Sequence, residues 1–83
     1  MKVYVVFGST GEYSDRREWI VCGFLDEKRA QERVVLASHR ANELFVKYKN
    51  TYWDATKEKN EYDDRFDMDY TGTTYYYAEV DCE

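Results

Sequence analysis

The stretch DEKRAQERVVLASHRANELFVKYK, Asp26–Lys49, is the longest segment of the chain with helical periodicity, and the other predicted elements are arranged around it. Its small and apolar residues recur at steps of four and three, which places them on one face of a helix. That face comprises Ala30, Val34, Ala37, Ala41, Leu44 and Tyr48, and Phe45 widens it. Asp26 is a suitable N-cap residue. We therefore predict a helix over 26–49 whose outer face, with His39 at its centre, is plain solvent surface.

Extended segments precede and follow this helix in the sequence. They are KVYVVFGS (Lys2–Ser9), REWIVCGFL (Arg17–Leu25) and TTYYYAEVDC (Thr73–Cys82), all rich in β-branched and aromatic residues. A right-handed crossover through the helix makes the third strand parallel to the second, so the simplest sheet has the order 2-1-3. The sequence predicts one α+β domain over 1–83, a ββαβ two-layer sandwich with a mostly antiparallel three-stranded sheet. Residues 51–71 are expected to form an acidic, irregular or short-helical insert.

Alternation along the strands separates two sheet faces. The face expected under the helix carries Val5, Phe7, Ile20, Cys22, Phe24, Tyr76, Ala78 and Val80. The opposite face carries Tyr4, Val6, Trp19, Val21, Tyr75 and Tyr77. One helix covers only one face, and an uncovered apolar face usually marks an interface. We therefore predict that Tyr4, Trp19, Tyr75 and Tyr77 contact a partner or a second copy of the chain.

Charge is distributed unevenly along the chain. The net charge of −5 divides into +2 over residues 1–50 and −7 over residues 51–83. This balance disfavours direct nucleic-acid binding, because phosphates require basic side chains. It favours a host protein with a basic surface, toward which carboxylates would steer while aromatic residues anchor the contact. The predicted partner-binding residues are Tyr52, Trp53, Asp63, Asp64, Asp67 and Asp69, although a solubilising acidic loop would give the same composition.

The helix is longer than the strands it covers. A helix of 24 residues spans about 36 Å, whereas a strand of eight residues spans about 26 Å. Phe45 and Tyr48 fall on the resulting overhang, and Tyr52 and Trp53 are the nearest residues able to cover them. We expect the helix end and the acidic segment to form one unit.

The motifs that could indicate a phosphate, metal or catalytic site are incomplete. The run from Gly8 to Gly11 (GSTG) lacks the lysine and the following helix of a phosphate loop, so it predicts a hairpin turn. The run from Asp67 to Gly72 (DMDYTG) begins like a calcium loop, but its twelfth position is Ala78 and not the bidentate glutamate. His39 is the single histidine, with no nucleophile and base pattern around it. We predict a protein that is not an enzyme, with no catalytic residues, no metal site and no cofactor.

The cysteines and the hydropathy predict the compartment. Cys22 and Cys82 are too few for a disulfide framework. No apolar run approaches the roughly 20 residues of a membrane span. The chain enters a strand pattern at once, without the pattern of a signal peptide. We expect a cytoplasmic protein with reduced thiols and no membrane contact.

Three stretches carry a resemblance to known proteins. They are YVVFGSTGEYSDRREW (Tyr4–Trp19), the D-E-K-x-A start of the helix (Asp26–Ala30) and MDYTGTTYYY (Met68–Tyr77). Across about half of its length the chain resembles a group of small uncharacterised phage and bacterial proteins. The resemblance implies an accessory protein of a phage or mobile element, acting in the host cytoplasm if phage-encoded. Small acidic proteins in that setting are often inhibitors of host defence, anti-CRISPR proteins among them.

Two functions from different classes follow. The first is a non-enzymatic phage-type accessory protein that binds and inhibits a host protein, such as a defence component, through an acidic and aromatic surface. The alternative is a small-ligand or nucleotide-sequestering dimer, with its pocket where two aromatic sheet faces meet. A homodimer is also expected because the sheet has free edges and is apolar on both faces.

Overall fold

The computed structural model describes residues 1–12, 14, 16–48, 57–69 and 71–81. Along the chain the elements are β1 (Lys2–Thr10), β2 (Arg17–Phe24), α1 (Glu27–Lys47) and β3 (Thr73–Asp81). The strands form one sheet in the order β2-β1-β3, with the central β1 antiparallel to both neighbours. The predicted ββαβ fold, its strand order and its single long helix are confirmed.

The inner face of α1 is the predicted one. Asp26 caps the helix, since its extended backbone lets the carboxylate accept a hydrogen bond of 2.9 Å from the backbone nitrogen of Lys28. The buried residues of the helix are Ala30, Ala37, Ala41 and Leu44. Val34, Phe45 and Tyr48 pack against the same core. The three alanines keep this face narrow, which allows bulky side chains of the sheet to lie against it.

The helix covers the sheet face opposite to the predicted one. Val6 is fully buried, and Tyr75 lies in one core with Ala37, Ala41 and Leu44. The residues expected under the helix but found on the other face are Val5, Phe7, Ile20, Tyr76, Ala78 and Val80. Those expected on the uncovered face but found on the helix side are Tyr4, Val6, Trp19, Val21, Tyr75 and Tyr77. Both assignments are wrong, because the larger aromatic side chains fill the space that the alanines leave.

An irregularity in β2 explains why two members of the first set do lie on the helix side. Opposite Val6 stands Cys22, but opposite Phe7 stands Ile20, so β2 contains one extra residue at this point. Beyond the bulge Phe24 reaches the helix, where the guanidinium of Arg33 lies 5.5 Å from its ring centroid. Burial raises the pKa of the Cys22 thiol. The predicted placement of Cys22 and Phe24 on this side is confirmed.

The end of α1 and the segment 57–69 form one unit, as expected. Leu44 and Met68 are both buried in the core. Around them pack Phe45 and Tyr48 from the helix and Tyr62 and Phe66 from the segment. The segment itself contains turns and an isolated bridge between Asn60 and Asp63, with no helix or strand. Tyr62, Phe66 and Met68 therefore cover the end of the helix within the described structure, and the predicted Tyr52 and Trp53 lie outside the described residues.

Two glycines on the sheet make a matched pair for a stability test. A Cβ at Gly8 would lie 2.6 Å from the indole of Trp19, whereas one at Gly23 would meet only Val3 Cγ1, at 3.4 Å. We expect Gly8→Ala to lower the free energy of unfolding by about 1–3 kcal/mol, because the indole must move. Gly23→Ala should change it by less than about 0.5 kcal/mol. Urea denaturation measures both, and equal effects would contradict the close approach at Gly8.

Candidate functional site

The side of the sheet that no described element covers is the candidate functional site. Seven apolar side chains, which we call the open face, lie there: Val3, Val5, Phe7, Ile20, Tyr76, Ala78 and Val80. Ile20, Tyr76 and Val80 remain 54%, 40% and 43% exposed, respectively. In a small protein, a contiguous apolar patch of this kind is typical of an interaction surface.

Two aromatic rings form the centre of the open face. Phe7 and Tyr76 stand opposite each other on β1 and β3, with ring centroids 5.2 Å apart and planes inclined by 18°. The Tyr76 hydroxyl donates to Glu18 at 3.4 Å, and Arg16 donates to the same carboxylate at 2.6 Å. The face therefore has an apolar middle and one polar end.

The width of the open face matches one helix. Strands about 4.8 Å apart give a three-stranded sheet a width of roughly 10–15 Å. A helix with its side chains is about 10–12 Å across. Such a helix, α1, already covers the other side of this sheet. The geometry therefore fits a second helix, from a partner, on the open face.

Asp63, a predicted partner contact, is internal. It is 2% exposed, and its Oδ2 accepts hydrogen bonds from Trp19 Nε1 at 2.9 Å and from the Tyr75 hydroxyl at 2.6 Å. Its Oδ1 accepts from the backbone nitrogen of Arg65 at 3.0 Å. Burial, and then the hydrogen bond and charge of Asp63, raise the pKa of Tyr75 well above its ordinary value. The prediction of Asp63 as a contact is wrong, since it fastens the segment 57–69 to the sheet.

Asn60 completes this buried polar cluster. Its Nδ2 donates to the carbonyl of Ala37 at 3.2 Å and to the Tyr75 hydroxyl at 3.3 Å. Its Oδ1 accepts from the backbone nitrogen of Tyr62 at 3.0 Å. Within the described ranges, every buried side-chain nitrogen and oxygen has a hydrogen-bond partner. The cluster satisfies itself, as a structural network does.

The other carboxylates of the segment lie near basic residues of the same chain. Arg17 Nε is 2.7 Å from Asp67 Oδ2, and Arg17 Nη1 is 3.9 Å from Asp69 Oδ2. Asp64 is exposed. The predicted acidic contact surface therefore shrinks, since Asp67 and Asp69 share one guanidinium and Asp63 is buried. Tyr52 and Trp53 lie outside the described residues.

Glu58 is paired in the same way. Lys47 Nζ and the Tyr48 hydroxyl donate to its carboxylate at 2.7 and 2.8 Å, and these contacts lower the pKa of Glu58. In the part of the chain that the structure describes, no group of acidic, histidine or cysteine side chains is arranged to hold a metal ion. Glu58, like Asp63, Asp67 and Asp69, thus binds other parts of the fold.

The predicted aromatic interface lies on the helix side of the sheet. Trp19 and Tyr75 bond to Asp63, and the Tyr77 hydroxyl accepts from Gln31 of α1 at 3.0 Å. The ring of Tyr4 meets that of Tyr77 edge-on, with centroids 6.4 Å apart. The helix occupies the space in which two aromatic faces were expected to meet, so the ligand pocket of the alternative function does not form there.

Ser9 and Thr10 lie at the end of β1, not in the predicted turn, and they belong to a junction of hydroxyl groups with β3. Ser9 and Thr74 share a hydrogen bond of 2.9 Å, and Thr10 Oγ1 donates to the carbonyl of Gly72 at 2.7 Å. The backbone nitrogen of Gly11 donates to Thr71 Oγ1 at 3.0 Å. These contacts hold the end of β1 to the start of β3, which gives the GSTG run a structural role.

The residues of the open face are predicted to lie under the helix, so the strand pattern does not identify them as exposed. The alanines of α1 were the available signal. Small residues on the inner face of a helix predict bulky side chains opposite, and Trp19, Tyr75 and Tyr77 are bulkier than Ile20, Ala78 and Val80. Comparing volumes would have selected the correct face.

No family model, curated protein or solved structure matches the chain. The described residues contain no helix long and apolar enough to cross a membrane. The likeness to phage and bacterial proteins stays a prediction from the residues alone. The proposed function is therefore based on the exposed open face of the sheet.

Proposed function

We propose that this chain is a non-catalytic protein-binding module that binds and inhibits a host protein through the open face. The observation that carries the proposal is a continuous apolar surface on a sheet whose other side is already covered. Burial of apolar surface is the dominant favourable contribution to most protein–protein association. The stacked rings of Phe7 and Tyr76 supply the kind of rigid aromatic centre that dominates binding energy.

The chemistry of the open face supports a partner with an exposed amphipathic helix. The seven side chains carry no charge, so they complement an aliphatic stripe better than a basic groove. Arg16 and Glu18 at the polar end give such a helix one preferred direction. Asp64, exposed on the segment 57–69, is the predicted carboxylate still available to a basic rim.

The finer part of the proposal concerns the biological setting. The resemblance of Tyr4–Trp19, Asp26–Ala30 and Met68–Tyr77 to phage and bacterial proteins supports a bacterial host. An anti-CRISPR-like role against a defence component is consistent with a small acidic chain that acts by occupancy. Inhibition would then follow because the bound module covers the partner's helix.

A substitution on the open face tests the proposal. We expect Ile20→Asp to weaken partner capture by about tenfold or more, because an unpaired buried carboxylate costs more than the ~1.4 kcal/mol that a factor of ten represents. Leu25→Asp is the matched control, since Leu25 is 70% exposed and lies outside the open face. Immobilised wild type and both variants are incubated with bacterial host lysate, and bound proteins are quantified by mass spectrometry.

The expected partner is retained by the wild type and by Leu25→Asp but lost with Ile20→Asp. A photo-reactive residue at position 20 should crosslink to the same protein, and one at position 25 should not. Circular dichroism of each variant establishes that the fold is retained. The proposal fails if no captured protein distinguishes Ile20→Asp from the wild type.

A further inference from the structure

The outer side of α1 is predicted to be plain solvent surface, but it carries exposed apolar side chains. Three large side chains are exposed along it: Val35, Leu36 and Val46, at 65%, 43% and 66%. Four exposed polar or charged residues alternate with them: Lys28, Glu32, His39 and Glu43. At 3.6 residues per turn these positions lie on one side of the helix. We call them the outer stripe.

We propose that the outer stripe binds the same stripe of a second copy of the chain, with the two helices antiparallel. The two-fold axis passes between Val35 and Leu36. A residue a given number of positions before this point therefore meets, on the second copy, the residue the same number of positions after it. Val35 then contacts the second copy's Leu36. A two-fold interface uses the same patch on both copies and must be complementary to itself.

The polar and charged side chains of the outer stripe are complementary to themselves in this arrangement. Lys28 lies against the second copy's Glu43, and Glu32 lies against its His39. Each of these pairs occurs twice because of the symmetry. In the single chain Glu43 is 3.0 Å from His39 and 4.0 Å from Arg40, and its side chain remains 54% exposed. It therefore retains surface that can accept a second cation.

Other arrangements of the same two helices place like charges together. A parallel pair in register sets Lys28 against Lys28 and Glu32 against Glu32. Sliding the antiparallel pair so that its axis moves half a turn toward the helix C-terminus sets Glu32 against Glu43 and Lys28 against Lys47. Such repulsion is how paired helices specify one orientation and register. Of these three arrangements, the antiparallel one centred between Val35 and Leu36 places opposite charges together.

The dimer would leave both open faces accessible. The outer stripe points away from the sheet, because the opposite side of α1 packs on the sheet. Two copies joined through it have their helices in the middle and their open faces pointing outward on opposite sides. One helix pair is a small interface, so the association should be weak and concentration-dependent. This inference does not depend on the proposed function.

Charge reversal tests the arrangement through analytical ultracentrifugation of the full chain. The wild type should show a reversible monomer–dimer equilibrium as concentration rises. Lys28→Glu and Glu43→Lys should each weaken it by about tenfold, because two opposite-charge pairs become like-charge pairs. An equimolar mixture of the two variants should associate as the wild type does, since both charge pairs are restored in the mixed dimer. Lys59→Glu, an equal charge change outside the stripe, should have little effect.

Specific outcomes would overturn the proposal. One is a wild type that stays monomeric at millimolar concentration. Another is a mixture of Lys28→Glu and Glu43→Lys that associates no better than either variant alone. A third is loss of the dimer in Ile20→Asp with the dimer intact in Lys28→Glu, which would assign self-association to the open face. Circular dichroism verifies the fold of each variant, and partner capture by Ile20→Asp is measured separately, so the two proposals fail independently.

Discussion

Replacing Asp63 by alanine is expected to lower the free energy of unfolding by about 3–5 kcal/mol, whereas the same change at the adjacent Asp64 should alter it by less than about 0.5 kcal/mol. Asp63→Ala removes the acceptor of the Trp19 indole N–H and of the Tyr75 hydroxyl. Each buried donor left without a partner costs roughly 1–3 kcal/mol. Asp64 is exposed, so its removal leaves the interior unchanged.

Urea denaturation followed by tryptophan fluorescence measures this difference. A chain of this length has an expected stability of about 4–12 kcal/mol, so Asp63→Ala should remove a large fraction of it and lower the urea midpoint clearly. Asp63→Asn should fall between the two alanine variants, because it keeps an acceptor oxygen but its amide group faces the backbone N–H of Arg65. Equal stability of Asp63→Ala and Asp64→Ala would mean that Asp63 faces solvent, and would restore it as a candidate partner contact.

Leu44→Ala is the second change with a large expected effect, a loss of about 2–5 kcal/mol of unfolding free energy. Leu44 is fully buried, between the sheet and the segment 57–69, in the core that contains Met68 and Tyr75. Its truncation removes apolar contacts and leaves a cavity that the surrounding residues fill only in part. The segment should detach first, because Leu44 and its neighbours hold it to the helix.

Val46→Ala is the control on the same helix. Val46 is 66% exposed, so its truncation should cost less than about 0.5 kcal/mol when measured at a concentration where the chain is monomeric. Amide hydrogen exchange distinguishes local from global loss, and faster exchange at residues 60–68 is expected in Leu44→Ala alone. Similar unfolding free energies for the two variants would contradict the position of Leu44 in the core.

The candidate site shows where prediction from sequence stops. Val5, Phe7, Ile20 and Tyr76 were correctly grouped on one face, because alternation is a local property of a strand. That they are exposed was not predicted, since alternation treats the two faces of a sheet alike. The choice depended on volume, and the small inner face of α1 accommodates the aromatic side of the sheet.

The surface charge of the acidic segment also depends on tertiary contacts. Counting residues made 51–83 strongly acidic, and that count is correct. A count of charged residues does not show where the basic side chains lie in the folded chain. Arg17, 50 residues away along the chain, lies 2.7 Å from Asp67, and Lys47 lies 2.7 Å from Glu58. The charge of a segment is therefore a poor guide to the charge of a surface once the chain has folded.

The elements, their order in the sheet, the capping of α1 by Asp26 and the residues of its inner face are predictable from the sequence alone. Each of these depends on periodicity, on capping chemistry or on the handedness of a crossover, which neighbouring residues specify. Which sheet face is open, and which of two adjacent aspartates is buried, depends instead on tertiary packing. Asp63 differs from Asp64 because Trp19 and Tyr75, 44 and 12 residues away, meet it in the interior. Such contacts exist only after distant segments have packed together.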